Sequence, residues 1–300
     1  MVQLEIPPGG ANLDYPVLYT AAEDTSRTAR RGYTRLVQLD LLLLLAGSAL
    51  GVVGALVSPS ARVSVWIAAA VIIGATLVVK SATKILRRDR DWIAGRAVAE
   101  AVKEATWRYV MRARPFDLDD PAARGQFIGA LRSTLATHRD LRLALDQVPD
   151  DGHQISESMT RVRALPLDER KEYYTRERLD AQIRWYLARA GKARRAATIS
   201  FWLDIIARGG ALAFAILIIV PPHRGPGIAG LLVAIAAAVT AWAQLGRYDE
   251  IGKSYSLTAQ HLLLEKSRIE DMDEQGFGQL VGDVEETISG EHAGWLAKRR

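Results

Sequence analysis

This sequence predicts an all-α membrane protein, two tandem transmembrane helical hairpins with long cytoplasmic helices, and three observations carry that prediction. Four apolar runs, Leu36 to Val57, Val63 to Val79, Ala196 to Val220 and Ile228 to Leu245, are each long enough, or nearly so, to cross a bilayer, where a spanning helix takes about 17 to 25 mostly apolar residues. They fall into two close pairs, joined only by the turns Ser58 to Arg62 and Pro221 to Gly227, in which Pro59, Pro221 and Pro222 interrupt helix. Basic residues crowd the outer ends of each pair and nearly avoid the turns.

The elements follow in order. Residues 1 to 14, with Pro7, Pro8, Gly9 and Gly10, carry no periodic apolar pattern, so order is expected to start near Tyr15. Because the first run is longer than a signal-peptide core, it reads as a retained anchor. From Ala82 to Met111 one long helix is expected to leave the second run, with Ile85, Trp92, Ala99, Val102, Trp107 and Val110 near helical spacing and Pro115 ending it. A second amphipathic helix is expected over Ala122 to Gln147, carrying Phe127, Ile128, Leu131, Leu135, Leu141 and Leu145. Pro149 to Gly152 is the clearest linker, which divides the chain into units 1–148 and 149–300. The second unit repeats the plan: a helix from about Glu169 continues into the third run, Tyr248 to Ile269 is helical, Gly276 and Gly278 mark a turn, and Gln279 to Lys298 closes the chain. Leu39-Asp40-Leu41-Leu42 and Leu203-Asp204-Ile205-Ile206, at matching depths of the first and third runs, support the duplication.

Charge sets the topology. Arg27, Arg30, Arg31 and Arg35 precede the first run, Lys80, Lys84, Arg87, Arg88 and Arg90 follow the second, Arg189, Lys192, Arg194 and Arg195 precede the third, and Arg247 and Lys253 follow the fourth. By the positive-inside rule both termini and the central segment are expected in the cytoplasm. Lys plus Arg exceed Asp plus Glu by 39 to 34, but the excess gathers at span ends rather than on one soluble face, so no nucleic-acid partner is expected. A mean hydropathy of +0.02 averages these two kinds of segment. Zero cysteines exclude disulfides and thiolate chemistry.

No catalytic or metal pattern appears. Gly225-Pro-Gly-Ile-Ala-Gly230 fits G-x-G-x-x-G but lies in an outer turn instead of following a strand. The five histidines have no metal-ligand spacing. The chain is therefore expected to be no enzyme and to need no cofactor. Ionisable groups inside a bilayer are costly, which makes Asp40, Asp204, Arg208 and Gln244 the candidates for a pore or gate. The plainer reading is that Asp204 and Arg208, four apart on one helix, neutralise each other while Asp40 is hydrated near the interface. Small residues at Gly47, Gly51, Gly74 and Gly230 let helices approach closely, either within a hairpin or between subunits. Trp66, Trp92, Trp202 and Trp242 are expected at or just below headgroup level.

Several of these residues form a pattern that resembles the SLATT superfamily, bacterial two-transmembrane domains related to the DUF4231 group. In the first unit the likeness rests on Tyr15-Pro16, Leu18-Tyr19, Asp24 and Ser26, then Trp92, Arg96-Ala97, Ala99-Glu100, Lys103, Trp107-Arg108-Tyr109 and Pro115-Phe116. This is similar to the third subfamily. The second unit resembles the first subfamily through Tyr174, Arg178, Gln182, Trp185-Tyr186 and Ala190, and through Val284-Glu285, Ile288, Glu291-His292 and Trp295. The resemblance implies a membrane effector of bacterial conflict systems that assembles as a homo-oligomer, opens a pore and answers to a cytoplasmic nucleotide-signalling partner. A non-conducting scaffold that anchors a cytoplasmic helical bundle for partner or lipid recruitment is the alternative.

Overall fold

The computed structural model of the chain describes residues 13–86, 88–138, 153–219, 233, 235–240 and 248–297. Among them there is helix and no strand. Helix α1 is Val17–Leu56, α2 Pro59–Ile85, α3 Arg88–Val110, α4 Asp120–Thr137, α5 Glu157–Arg163 and α6 Leu167–Tyr174. A π-helical turn, Thr175–Leu179, joins α6 to α7, Asp180–Ile219. Two more helices follow, α8 Tyr248–Lys266 and α9 Glu274–Ala297. Of the fourth apolar run only 233 and 235–240 are described, as helix. Gln244, Gly230 and Trp242 lie outside the described residues, as do residues 1–12 of the expected tail 1–14, whose last two residues are ordered, with Leu13 buried and the Asp14 amide donating to Ser158 Oγ at 2.9 Å.

Three helical stretches, Val17–Gly54, Pro59–Val110 and Leu167–Ala213, are long and apolar enough to cross a membrane. Only 11%, 17% and 6% of their apolar windows are buried inside the protein, so their side chains face outward, as a lipid solvent requires.

Local signals set the element ends, and several differ from the sequence expectation. The long helix expected over Ala82 to Met111 is two helices, α2 ending at Ile85 and α3 starting at Arg88. Asp89 and Asp91 occupy the first turn of α3, where carboxylates favour the positive end of a new helix dipole. Helix α3 ends at Val110, one residue from the expected Met111. Arg112 takes a left-handed φ of 54°, and the amides of Arg112 and Ala113 bond back to the carbonyls of Tyr109 and Arg108 at 3.3 and 2.9 Å. That pair of bonds closes a helix with a residue in the left-handed conformation, here an arginine whose Nε donates to the Arg163 carbonyl at 3.1 Å. Helix α5 was not foreseen; its N-cap is Ser156, which accepts from the Met159 amide at 3.2 Å. Gly276 and Gly278 lie in helix rather than a turn, because Asp273 accepts from the Gly276 amide at 2.8 Å and starts α9 earlier.

The chain divides into two compact units, and each draws on both halves of the sequence. Of the described residues, one comprises those within 31–88 and 191–252, the other those within 13–30, 89–190 and 253–297. In the first, the apolar unit, α1 and α2 form a hairpin whose close contact is at Gly47, where a Cβ would come 2.6 Å from Ile73 Cγ1, and at Gly54, where it would strike Trp66. Gly51 and Gly74 would meet nothing within 4 Å, so the hairpin packs on Gly47 and Gly54 and leaves the other two open.

The second, polar unit has a continuous aromatic and aliphatic core. Trp92, Trp107, Tyr109, Phe116, Phe127, Tyr174, Tyr186, Phe277, Val281 and Val284 are all buried. Trp92 therefore lies in this core, 1% exposed, and is no marker of headgroup depth. Gly95 admits the backbone of α1, since a Cβ there would lie 3.0 Å from the Ala22 carbonyl oxygen, and Ser26 Oγ donates to the Trp92 carbonyl at 3.1 Å.

The left-handed closure of α3 yields a test. Arg112→Val should destabilise the protein by about 1–2 kcal/mol, because a β-branched side chain resists that conformation. Arg112→Gly should keep the closure, and the midpoints of denaturant unfolding in detergent distinguish the two.

Candidate functional site

Two clusters of polar groups stand out, one in each unit. In the apolar unit, Asp204 and Arg208 are one turn apart on α7, and the Arg208 Nε lies 2.9 Å from Asp204 Oδ1 and 2.8 Å from Oδ2. Thr240, from the helical segment 235–240, donates to Asp204 Oδ1 at 2.8 Å and accepts from Arg208 Nη2 at 3.2 Å. The expected pairing of Asp204 with Arg208 is thus present, with a third member from another helix. Arg208 is nonetheless 61% exposed and Asp204 24%, on a helix whose other outward side chains include Ile205, Ile206 and Leu212. Asp40 does not join them. It is half-buried on α1, and its Oδ1 is shielded without a hydrogen-bond partner among the described residues.

The polar unit encloses a charged core. Arg178, on the π turn, gives two parallel hydrogen bonds to Glu285 of α9, one of them 2.8 Å from Nε to Oε1. Both side chains are at most 1% exposed. The Tyr174 hydroxyl donates to the same carboxylate at 3.0 Å, and the Arg178 guanidinium lies 5.6 Å from the Trp107 ring centre. Trp107 Nε1 in turn donates to the Tyr15 hydroxyl at 2.7 Å. One turn back on α3, Lys103 is fully buried, paired with Glu100 at 3.1 Å and 5.8 Å from the centre of the Tyr19 ring.

Burial pushes the Lys103 ammonium below its ordinary range, and Glu100 offsets only part of that. For Arg178 burial also works against the charge, but the Glu285 carboxylate prevails and the guanidinium is held more firmly protonated than usual. Burial, and then Glu285, raises the Tyr174 phenol, which keeps it a donor. Glu104 is raised by burial against the opposing Arg108, which it pairs with at 2.8 Å while Arg108 Nη2 donates to the Gly282 carbonyl at 3.1 Å.

The motif residues expected from sequence therefore converge. Trp92, Arg96, Glu100, Lys103, Trp107 and Tyr109 are buried in the polar unit and Arg108 ties α3 to α9. Trp185 and Tyr186 sit with Tyr255 of α8, their rings 5.3 and 5.4 Å from its ring. Sequence reasoning did not select Arg178, Tyr174 or Glu285 as a site. Their signal was there: Glu285 falls on the stripe Val281, Val284, Ile288 that α9 buries, an unusual place for a carboxylate without a partner. Thr240 had no such signal, since only tertiary packing brings it to Asp204.

Two further arginines clasp the end of α3. Arg163 donates to the Tyr109 and Leu118 carbonyls and to Asp120, at 2.9 Å for the last two. Arg170 donates to the Met111 and Leu165 carbonyls, both at 3.0 Å, and to Glu274. Arg170 thus satisfies a carbonyl just past the helix end, and Arg163 adds a second donor to the Tyr109 carbonyl that the Arg112 amide already reaches. Among the described residues no group of acidic or histidine side chains is arranged to hold a metal ion.

Comparison with protein families gives two matches in succession. Residues 16–171 match the model of SMODS and SLOG-associating 2TM effector domain 3, and residues 174–295 match that of SMODS and SLOG-associating 2TM effector domain 1. No curated protein and no solved structure matches the chain.

The charged core predicts its own energetics. Glu285→Ala strands the Arg178 charge and should cost about 3–5 kcal/mol, whereas Arg178→Met with Glu285→Leu should recover much of the loss, as read from denaturant midpoints. Acid acts elsewhere. Arg163 holds the Asp120 carboxyl below its ordinary value of 3.8, so the unfolded chain binds that proton more readily. The contribution is present above that value and lost as pH falls through the folded one. Asp120→Asn should accordingly flatten the stability profile below about pH 4.

Proposed function

The chain belongs to the SMODS and SLOG-associating 2TM effector family, through two such domains in tandem, and from this we propose that it is an oligomeric membrane effector that opens a conducting path in a bacterial conflict response. In this reading it lies in the inner membrane with both termini in the cytoplasm. Copies of the chain assemble through their spans, and the polar unit, responding to a cytoplasmic nucleotide-signalling partner, sets whether the path is open. The work is gating, not turnover.

One observation carries the reading. Arg208 lies 13 residues beyond Arg195, the last basic residue before the apolar stretch, which at 1.5 Å per residue is about 20 Å along the helix axis. At that depth an ionised side chain facing lipid costs about 2.5–3.5 kcal/mol on insertion scales. Pairing with Asp204 lowers that cost, yet the guanidinium remains mostly exposed on the single chain. A second copy or a water-filled lumen against this face removes the conflict, and open small positions at Gly51 and Gly74 leave room for close approach. The scaffold alternative draws on the polar unit, whose built core would equally suit a docking platform.

The two readings separate in liposomes loaded with an ion-sensitive dye. A pore should pass ions when triggered, and Arg208→Ala or Asp204→Asn should change the flux by about tenfold or more, a step of about 1.4 kcal/mol in the barrier. A scaffold should pass none, and these substitutions should leave its partner binding unchanged.

A further inference from the structure

We propose that Arg31, Arg35 and Arg88 form a seat for the phosphodiester headgroup of an anionic phospholipid. Arg88, from the corner between α2 and α3, lies across Gly32 of α1 so closely that a Cβ at Gly32 would collide with its guanidinium. Arg31 and Arg35 flank that glycine and share a helix face, being four residues apart; both are exposed. Three arginines thus belong to one corner of the apolar unit, Arg88 laid across Gly32 and Arg31 and Arg35 within one turn of it on α1. None of them has an ion pair with a carboxylate among the described residues. Lys80 and Lys84, exposed at the end of α2, add to the positive field.

Like charges brought together without a counter-charge repel, and guanidinium forks match phosphate oxygens well. The surroundings select a lipid over a free anion. The apolar run of α1 begins at Leu36, directly after Arg35, which puts the arginines at the level of headgroups. Above and beside them Leu39, Ile85 and Leu86 are 44%, 76% and 47% exposed, an aliphatic surface suited to the first carbons of an acyl chain. Charge next to bare aliphatic surface is the shape of an amphiphile.

The test uses the full chain in a neutral detergent, titrated with short-chain phosphatidylglycerol, short-chain phosphatidylcholine or inorganic phosphate, with binding counted by native mass spectrometry and a shift in melting temperature. Phosphatidylglycerol should bind and stabilise, and the other two should do neither. Arg31→Gln with Arg88→Gln should weaken binding by about tenfold or more, whereas Arg194→Gln, an exposed cation of the same unit on α7, should not. Gly32→Leu displaces Arg88 with every charge kept and should give a comparable loss, helix content being checked by circular dichroism. Unchanged binding in the double variant would overturn the assignment. So would equal binding of phosphatidylcholine, which shows no headgroup selection, or of inorganic phosphate, which shows a soluble-anion site. Because the readout is binding, it stands or falls apart from conduction.

Discussion

The described residues of the apolar unit leave most of their large side chains on its outside. Leu77, Val78, Ile206 and Leu212 each present about two-thirds of their surface outward, and leaving such a residue in water instead of burying it forgoes about 1.5–3 kcal/mol. Repeated along three helices, that penalty far exceeds the stability of an ordinary domain, so hydrocarbon must be the solvent of this unit. The polar unit inverts the arrangement. Its surface is charged, but so is its interior, where Lys103, Arg178 and Glu285 are all buried. One chain thus meets two solvents, and α1 and α7, each a continuous helix of 40 residues, contribute to both units.

Duplication in sequence and compactness in space divide the protein differently. The family matches meet between 171 and 174, close to where α6 ends and the π turn begins. Across that join the contacts are dense: Trp107 of the first half stacks edge-on against Tyr174 at 5.7 Å, beside Arg178 of the second. Arg163 and Arg170, in the short helices before the join, grip the carbonyls at the end of α3. Two tandem sequence units therefore share one polar core, and removing the second would take Glu274 from the buried Arg170.

Much of this was legible in the sequence because it rests on period and composition. The apolar runs of α1, α2 and α7, the hairpin of the first two and the helical class need only local patterns, and the motif Trp92, Arg96, Glu100, Lys103, Trp107 marked a helix face that the structure buries. What stayed hidden depends on partners distant in the chain. Arg178 and Glu285 are 107 residues apart, and nothing in their spacing pairs them. The end of α3 was legible to within a residue, but its means was not: an arginine adopts the left-handed conformation that glycine normally supplies. The glycines at 276 and 278 misled in the opposite sense, since Asp273 caps the helix that contains them. Gly47 and Gly51 looked equivalent as a pair; only the position of Ile73 shows that one is filled and the other open.

A core of buried ion pairs is a poor source of stability, since apolar residues of like volume would often do as well or better. It is a strong source of discreteness. Sliding α9 by one turn, about 5.4 Å, would part Glu285 from Arg178 and from the Tyr174 hydroxyl together, leaving a cation and an anion enclosed without compensation. Small displacements are therefore opposed steeply, and a rearranged state exists only if another complete set of partners awaits these groups. Lys103 sharpens the point: burial already disfavours its charge, and Glu100, one turn away on the same helix, travels with it. The α3 pair can ride through a movement intact while the pair between the π turn and α9 cannot. A movement of α9 against the π turn is therefore opposed at the Arg178–Glu285 contact.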